Sequence, residues 1–217
     1  MAGSKSADRS GAPLFGAAAV SLAGLAVLPL SDLGALSLQM TQHLVLMNVA
    51  APVTAALLAS RAPQFGSAAL WLVALAQLLL LWAWHLPALQ QAVAASGPLQ
   101  ASLLVLLSAA ALAFWLAVAA AERANAWRAV AGLLATGKFS CLLGALLIFA
   151  PRDLYQLPEL ALAFCSSGPS SLADQQFAGL LMVTACPLSY LVAGVTVAAR
   201  LLARLSDGPE RHVAGAR

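Results

Sequence analysis

The feature that most limits what this chain can become is a set of long uncharged apolar runs. The clearest is Leu99 to Ala121, rich in Ala and Leu and without a single charged side chain. A helix needs roughly 20 apolar residues to cross the hydrocarbon of a bilayer, and only helices or closed barrels satisfy every backbone group there. The runs lack the period-2 alternation of barrel strands, so helices are expected. Six stretches qualify: Pro13 to Leu30, Ser37 to Ala59, Ser67 to Leu86, Leu99 to Ala121, Trp127 to Ala150 and Ala173 to Leu201. With 62% hydrophobic and 9% charged residues, against about 25% charged in soluble domains, an ordinary water-soluble fold is excluded. The expected fold is all-α: a polytopic transmembrane bundle of six spans over residues 13–204, between a tail of residues 1–12 and another of 205–217.

The basic residues orient it. Lys5, Arg9, Arg61, Arg123, Arg128, Arg200, Arg204, Arg211 and Arg217, nine of the eleven, fall on one side of the expected topology. The positive-inside rule then makes both termini cytoplasmic. The opposite side holds Asp32, an uncharged turn from Pro87 to Pro98, and a loop from Pro151 to Ser171 long enough to lie over that face. The net charge of +3 is scattered over loops and termini, which speaks against a nucleic-acid partner. The first run is longer than a signal-peptide core and no clean A-x-A site follows. Retention as a span is expected, with cleavage as the alternative. Cys141, Cys165 and Cys186 form neither C-x-C nor C-x-x-C and read as small packing residues.

Polar exceptions inside apolar runs carry the functional argument, because such side chains usually face protein or a cavity. In Leu38 to Ala51, Met40, His43 and Met47 stand at i, i+3 and i+7, one face of a helix. In the expected topology His43 lies about 8 Å below the outer end of its span, level with His85 at the exit of the third span and Asp174 at the entry of the sixth. Met182 falls on much the same side of the sixth helix. Imidazoles and thioethers with few carboxylates favour Cu(I) over Mg or Ca. The competing reading is structural: interfacial histidines, gap-filling methionines, and Asp174 capping its own helix with Ser170 or Ser171. Trp71, Trp82, Trp84, Trp127 and Tyr155 sit near span ends, as interfacial belts do. Lys138, halfway along the fifth span, either snorkels or ties to Asn48 or Thr136. HExxH, GxSxG, P-loop and paired-carboxylate patterns are missing from the sequence, so hydrolytic or transfer chemistry is not indicated.

At these residues the chain resembles the multi-span CtaG-like family of cytochrome c oxidase assembly factors associated with the caa3-type oxidase. The matching pieces are Met40-Thr41-Gln42-His43 with Ala51-Pro52, Trp84-His85-Leu86-Pro87, Gly144 to Pro151 with Leu154-Tyr155, and Asp174-Gln175-Gln176 with Ala178-Gly179 and Met182. The resemblance implies a bacterial inner-membrane helper, not an enzyme, acting on the oxidase catalytic subunit or its assembly intermediates, through copper delivery. It carries His43, His85, Asp174, Gln175 and Gln176 forward as site residues, with Gln42, Gly179 and Tyr155 among the matched positions. Where relatives have further histidines near the fourth span, this chain reads Gly97-Pro98-Leu99-Gln100-Ala101-Ser102. Two rivals stand beside copper handling at the periplasmic face: a metal-free accessory scaffold using Ala/Gly-rich helix faces, and a transporter of copper or a small solute, for which no inverted repeat is evident.

Overall fold

The computed structural model describes residues 33–59, 68–156 and 171–214, with side chains to Ser206. All its regular elements are helices: α1 (Ala35–Val45), a π-helical turn (Leu46–Ala50), α2 (Ala51–Leu58), α3 (Ala69–Trp84), α4 (Pro87–Ala94), α5 (Gly97–Ala124), α6 (Ala126–Phe149) and α7 (Ser171–Ala214). Among the described residues four uninterrupted helices are long and apolar enough to cross a membrane: Ala35–Leu58, Gly97–Ala124, Ala126–Phe149 and Ser171–Ser206. The pair α3 and α4, bent by 69°, makes a fifth crossing if taken as one broken span. The expected first span, Pro13 to Leu30, lies outside the described residues, as do Cys165 and most of the 151–171 loop. Leu72, Leu79, Val105, Leu191 and other large apolar side chains point outward and exposed, which suits lipid and not water.

Two prolines shape the site. Pro87 restricts the residue before it to extended backbone, and Leu86 sits at φ −68°, ψ 129°. Helix α3 therefore stops at Trp84. The proline's missing N–H is tolerated in a first helical turn, so a new helix, α4, starts at once. The expected uncharged turn after Pro87 is thus a helix, lashed back by the Gln90 amide, which donates to the Trp84 carbonyl at 2.8 Å.

Pro52 acts on the other side. It has no N–H for the Asn48 carbonyl one turn earlier, and its ring would crowd that carbonyl. The chain widens by one residue just before it, and the Ala51 N–H reaches back to Leu46 O. That shift frees the Met47 carbonyl, which the Trp115 indole N–H satisfies at 3.0 Å. Asn48, in the wide turn, donates to Cys186 Sγ at 3.7 Å and accepts from the Ser189 hydroxyl at 2.8 Å. It therefore does not hold Lys138, which lies exposed on the outward face of α6 while Thr136 is buried.

Helices α6 and α7 pack most closely. A Cβ on Gly179 would lie 2.7 Å from the Gly144 carbonyl oxygen, and one on Gly144 would lie 2.8 Å from Val183 Cγ2. Backbones can approach that far only where side chains are absent. Deeper in the core Tyr190 stacks on Trp115, 5.4 Å between centroids and 6° between planes, and accepts a hydrogen bond from the Gln77 amide at 2.8 Å. At the end of the bundle away from the histidines, Arg200 of α7 pairs with Glu122 of α5 at 3.1 Å.

Candidate metal centre

The site begins with a helix that cannot cap itself. Gly34, at the N-cap of α1, has no side chain to accept the free N–H groups of the first turn. Asp174 of α7 supplies both acceptors: Oδ2 takes the Leu36 N–H at 2.8 Å and Oδ1 takes the Ser37 N–H at 3.0 Å. The Ser37 hydroxyl also donates to Oδ1 and to the Asp174 carbonyl. A negative group at a helix N-terminus is further favoured by the helix dipole. Gly34 is required because a Cβ there would overlap the Asp174 carboxylate. Asp174 does act as a cap, but of α1 across the bundle rather than of its own helix. Both its oxygens are committed to that task.

Its neighbour makes a second clamp. The Gln175 side chain accepts from the Leu154 N–H at 2.8 Å and donates to the Leu147 carbonyl at 3.3 Å, tying the segment after α6 to the first turn of α7. In that segment Asp153 accepts from the Tyr155 N–H at 3.0 Å, and the Tyr155 hydroxyl donates to the His85 carbonyl at 3.2 Å. Burial and the Asp153 carboxylate push the Tyr155 phenol above its ordinary range, so it keeps the proton it donates. Tyr155 is buried to 3% exposure, a packed strut and not an interfacial belt residue. Residues 174 and 175 thus reach both sides of the site, one through α1 and the other through Tyr155.

Between the clamps sit the soft donors. Because α3 ends in a tight turn, the His85 N–H bonds to Trp82 O and leaves the Leu81 carbonyl open. His85 Nδ1 fills that place at 2.7 Å. A carbonyl only accepts, so Nδ1 carries the proton and Nε2 of the neutral ring keeps its lone pair. Nε2 faces Met40 Sδ at 3.2 Å, and a thioether has no hydrogen to give. Two lone-pair donors therefore meet in a buried space. His43 lies beside them, its ring centroid 5.6 Å from that of His85 and 6.3 Å from that of Trp84, edge to face in both cases. Neither His43 nitrogen closes a hydrogen bond of normal geometry, although the Gln39 carbonyl one turn earlier faces the ring. Both side-chain polar atoms of Gln39 and the Trp84 indole N–H are likewise buried without partners.

The structure brings His43, His85 and Met40 together and sets Asp174, Gln175 and Tyr155 around them. Met47 lies about 10 Å further along the helix axis from Met40, buried near Trp115. Met182 packs in the α6–α7 seam beside Gly144, and Gly179 is the close-approach glycine of that seam. Gln42 and Gln176 are exposed, outside the cluster. Among the described residues no three His, Cys, Asp or Glu side chains gather as a metal-binding group. Sequence reading had not singled out Gly34, Ser37 and Gln90, and had placed Trp84 in an interfacial belt. A Gly one residue before an uncapped helix was the available signal for the first two; for Trp84 it was the helical spacing from Leu70, Ala74, Gln77 and Leu81, the stripe that buries it to 3% exposure.

Nothing matches the chain among curated proteins or among solved structures. The sequence profile of the cytochrome c oxidase caa3 assembly factor family, Caa3_CtaG, matches residues 4–204. That stretch contains every residue of the clamps and of the donor set, and the chain belongs to the cytochrome c oxidase caa3 assembly factor family.

Proposed function

We propose that this membrane protein holds Cu(I) as cargo between His43, His85 and Met40 and passes it to the catalytic subunit of a haem-copper cytochrome c oxidase, or to an assembly intermediate. In this reading it sits in the bacterial inner membrane with both termini cytoplasmic and the centre toward the periplasm. One observation carries the reading: His85 is fixed by its Nδ1–H on the Leu81 carbonyl while Nε2 is aimed at the Met40 sulfur. Metal-binding histidines are commonly held in this way, the second nitrogen donating to a carbonyl so that the first presents its lone pair. A cation between Nε2 and Sδ relieves the facing lone pairs, and a neutral N/S donor set suits Cu(I). A site with two or three ligands, and no charge of its own, holds an ion it can also give up.

The test is copper stoichiometry of the purified protein under reducing conditions, wild type against the His43→Ala/His85→Ala double variant, with oxidase activity measured in copper-limited cells. The expected result is near-stoichiometric copper in the wild type, lost in the variant, together with lost oxidase maturation. Absence of copper from both proteins would overturn the proposal in favour of a metal-free scaffold. The scaffold reading draws support from the Gly144–Gly179 seam and from the commitment of Asp174 to a helix end; it predicts that maturation survives loss of both histidines.

A further inference from the structure

We propose that Trp84 is a further contact of the copper site, its indole face closing the centre by a cation–π interaction; this rests on the Cu(I) reading above. The placement is built rather than incidental. Trp84 is the last position of the buried stripe of α3, after Leu70, Ala74, Gln77 and Leu81, so the helix itself points the ring inward, 6.3 Å between centroids from His43, and the Gln90 amide holds its carbonyl at 2.8 Å. A buried indole N–H usually finds an acceptor. Here the N–H has none, so hydrogen bonding does not account for a tryptophan at this position.

Charge supplies a reason. His43, His85 and Met40 bring no negative charge, and Asp174 has both carboxylate oxygens on the first turn of α1. A cation buried among them has no counter-ion, and the cost of burying an uncompensated charge is high. The negative potential must come from neutral groups, and the indole of Trp84, edge to face with His43 at 6.3 Å between centroids, is the best of the aromatic side chains to supply it to a cation within about 6 Å. It adds attraction without a bond to break on release.

The experiment is an anaerobic Cu(I) titration of the purified full chain, reading affinity against a competing chelator together with tryptophan fluorescence, for wild type, Trp84→Phe and Trp84→Leu. The chain has five tryptophans, so the Trp84 signal is the difference between wild type and the phenylalanine variant. Expected are Cu(I)-dependent quenching that Trp84→Phe removes, and affinity weakened about 5- to 30-fold in Trp84→Leu, with phenylalanine between. Quenching is read in the wild-type protein, so the inference is testable even if the leucine variant does not fold. Wild-type Cu(I) binding with no Trp84-dependent quenching and no loss of affinity in the variants would overturn this inference alone. Absence of Cu(I) from the wild type would overturn the copper reading and this inference with it.

Discussion

At the scale of single residues, the arrangement makes Asp174 a structural carboxylate with a functional consequence. It fixes the start of α1, and α1 carries Met40 and His43 within its next two turns. An amide at this position accepts through one oxygen only, so Asp174→Asn leaves Leu36 or Ser37 without an acceptor. An unsatisfied buried N–H costs about 1–3 kcal/mol. The expected outcome is an apparent melting temperature in detergent lower by several degrees, with weaker Cu(I) binding because the α1 donors shift. Gly34→Ala should do the same by the opposite route, leaving the acceptor in place but pushing it away; unchanged melting in both variants would refute the clamp. Tyr155 gives a pH signature. Its folded phenol titrates above the unfolded value of about 10, so its contribution is intact below that pH and is lost as pH rises through the raised value. Tyr155→Phe should destabilise the protein by about 1 kcal/mol near neutrality and flatten the alkaline decline in melting temperature above about pH 10. A decline equally steep in the variant would assign the effect elsewhere.

At the scale of elements, two breaks and one seam decide where the donors meet. Pro52 was legible in the sequence as a proline inside the expected span from Ser37 to Ala59, but the wide turn upstream was not, because that turn is completed by Trp115 from α5. Pro87 was legible as a break; that the break opens directly into α4, with the Gln90 amide back on the Trp84 carbonyl, was not. The Ala/Gly-rich helix faces read in the sequence as surfaces for a partner; in the structure Gly144 and Gly179 face each other, and the distances leave little room. Gly179→Ala sets a methyl 2.7 Å from a carbonyl oxygen and 3.0 Å from a backbone nitrogen, neither of which yields without moving a helix. Overpacking of this kind typically costs about 1–3 kcal/mol. Separation of α6 from α7 would also loosen Gln175 from Leu147, so the variant should lose stability and oxidase maturation together, measured by melting in detergent and by activity in cells. A fully stable Gly179→Ala protein would mean that the seam has more slack than its geometry allows.

At the scale of the whole molecule, Arg123, Arg128, Arg200 and Arg204 among the described residues gather at one end and the soft donors at the other. The orientation expected from them places a reporter fused after residue 206 in the cytoplasm and one inserted at residues 150–156 outside it. The inverse pattern of reporter activity would put the donor centre on the cytoplasmic side and remove periplasmic delivery. The helical class, the membrane setting and the approximate limits of the described spans were readable from the sequence alone, because each follows from the apolar content of a local window and the absence of water in lipid. His43, Met40 and His85 were readable as candidates for the same reason, since polar side chains in such windows stand out. What only the tertiary structure decided is partnership: Asp174 with α1, Gln175 with the segment after α6, Nε2 of His85 with a sulfur 45 positions earlier in the chain. Hydrogen bonds and lone-pair contacts act over about 3 Å, whereas residues near or far in sequence carry no record of which others come that close. Periodicity selects the face of a helix; packing alone selects what the face meets.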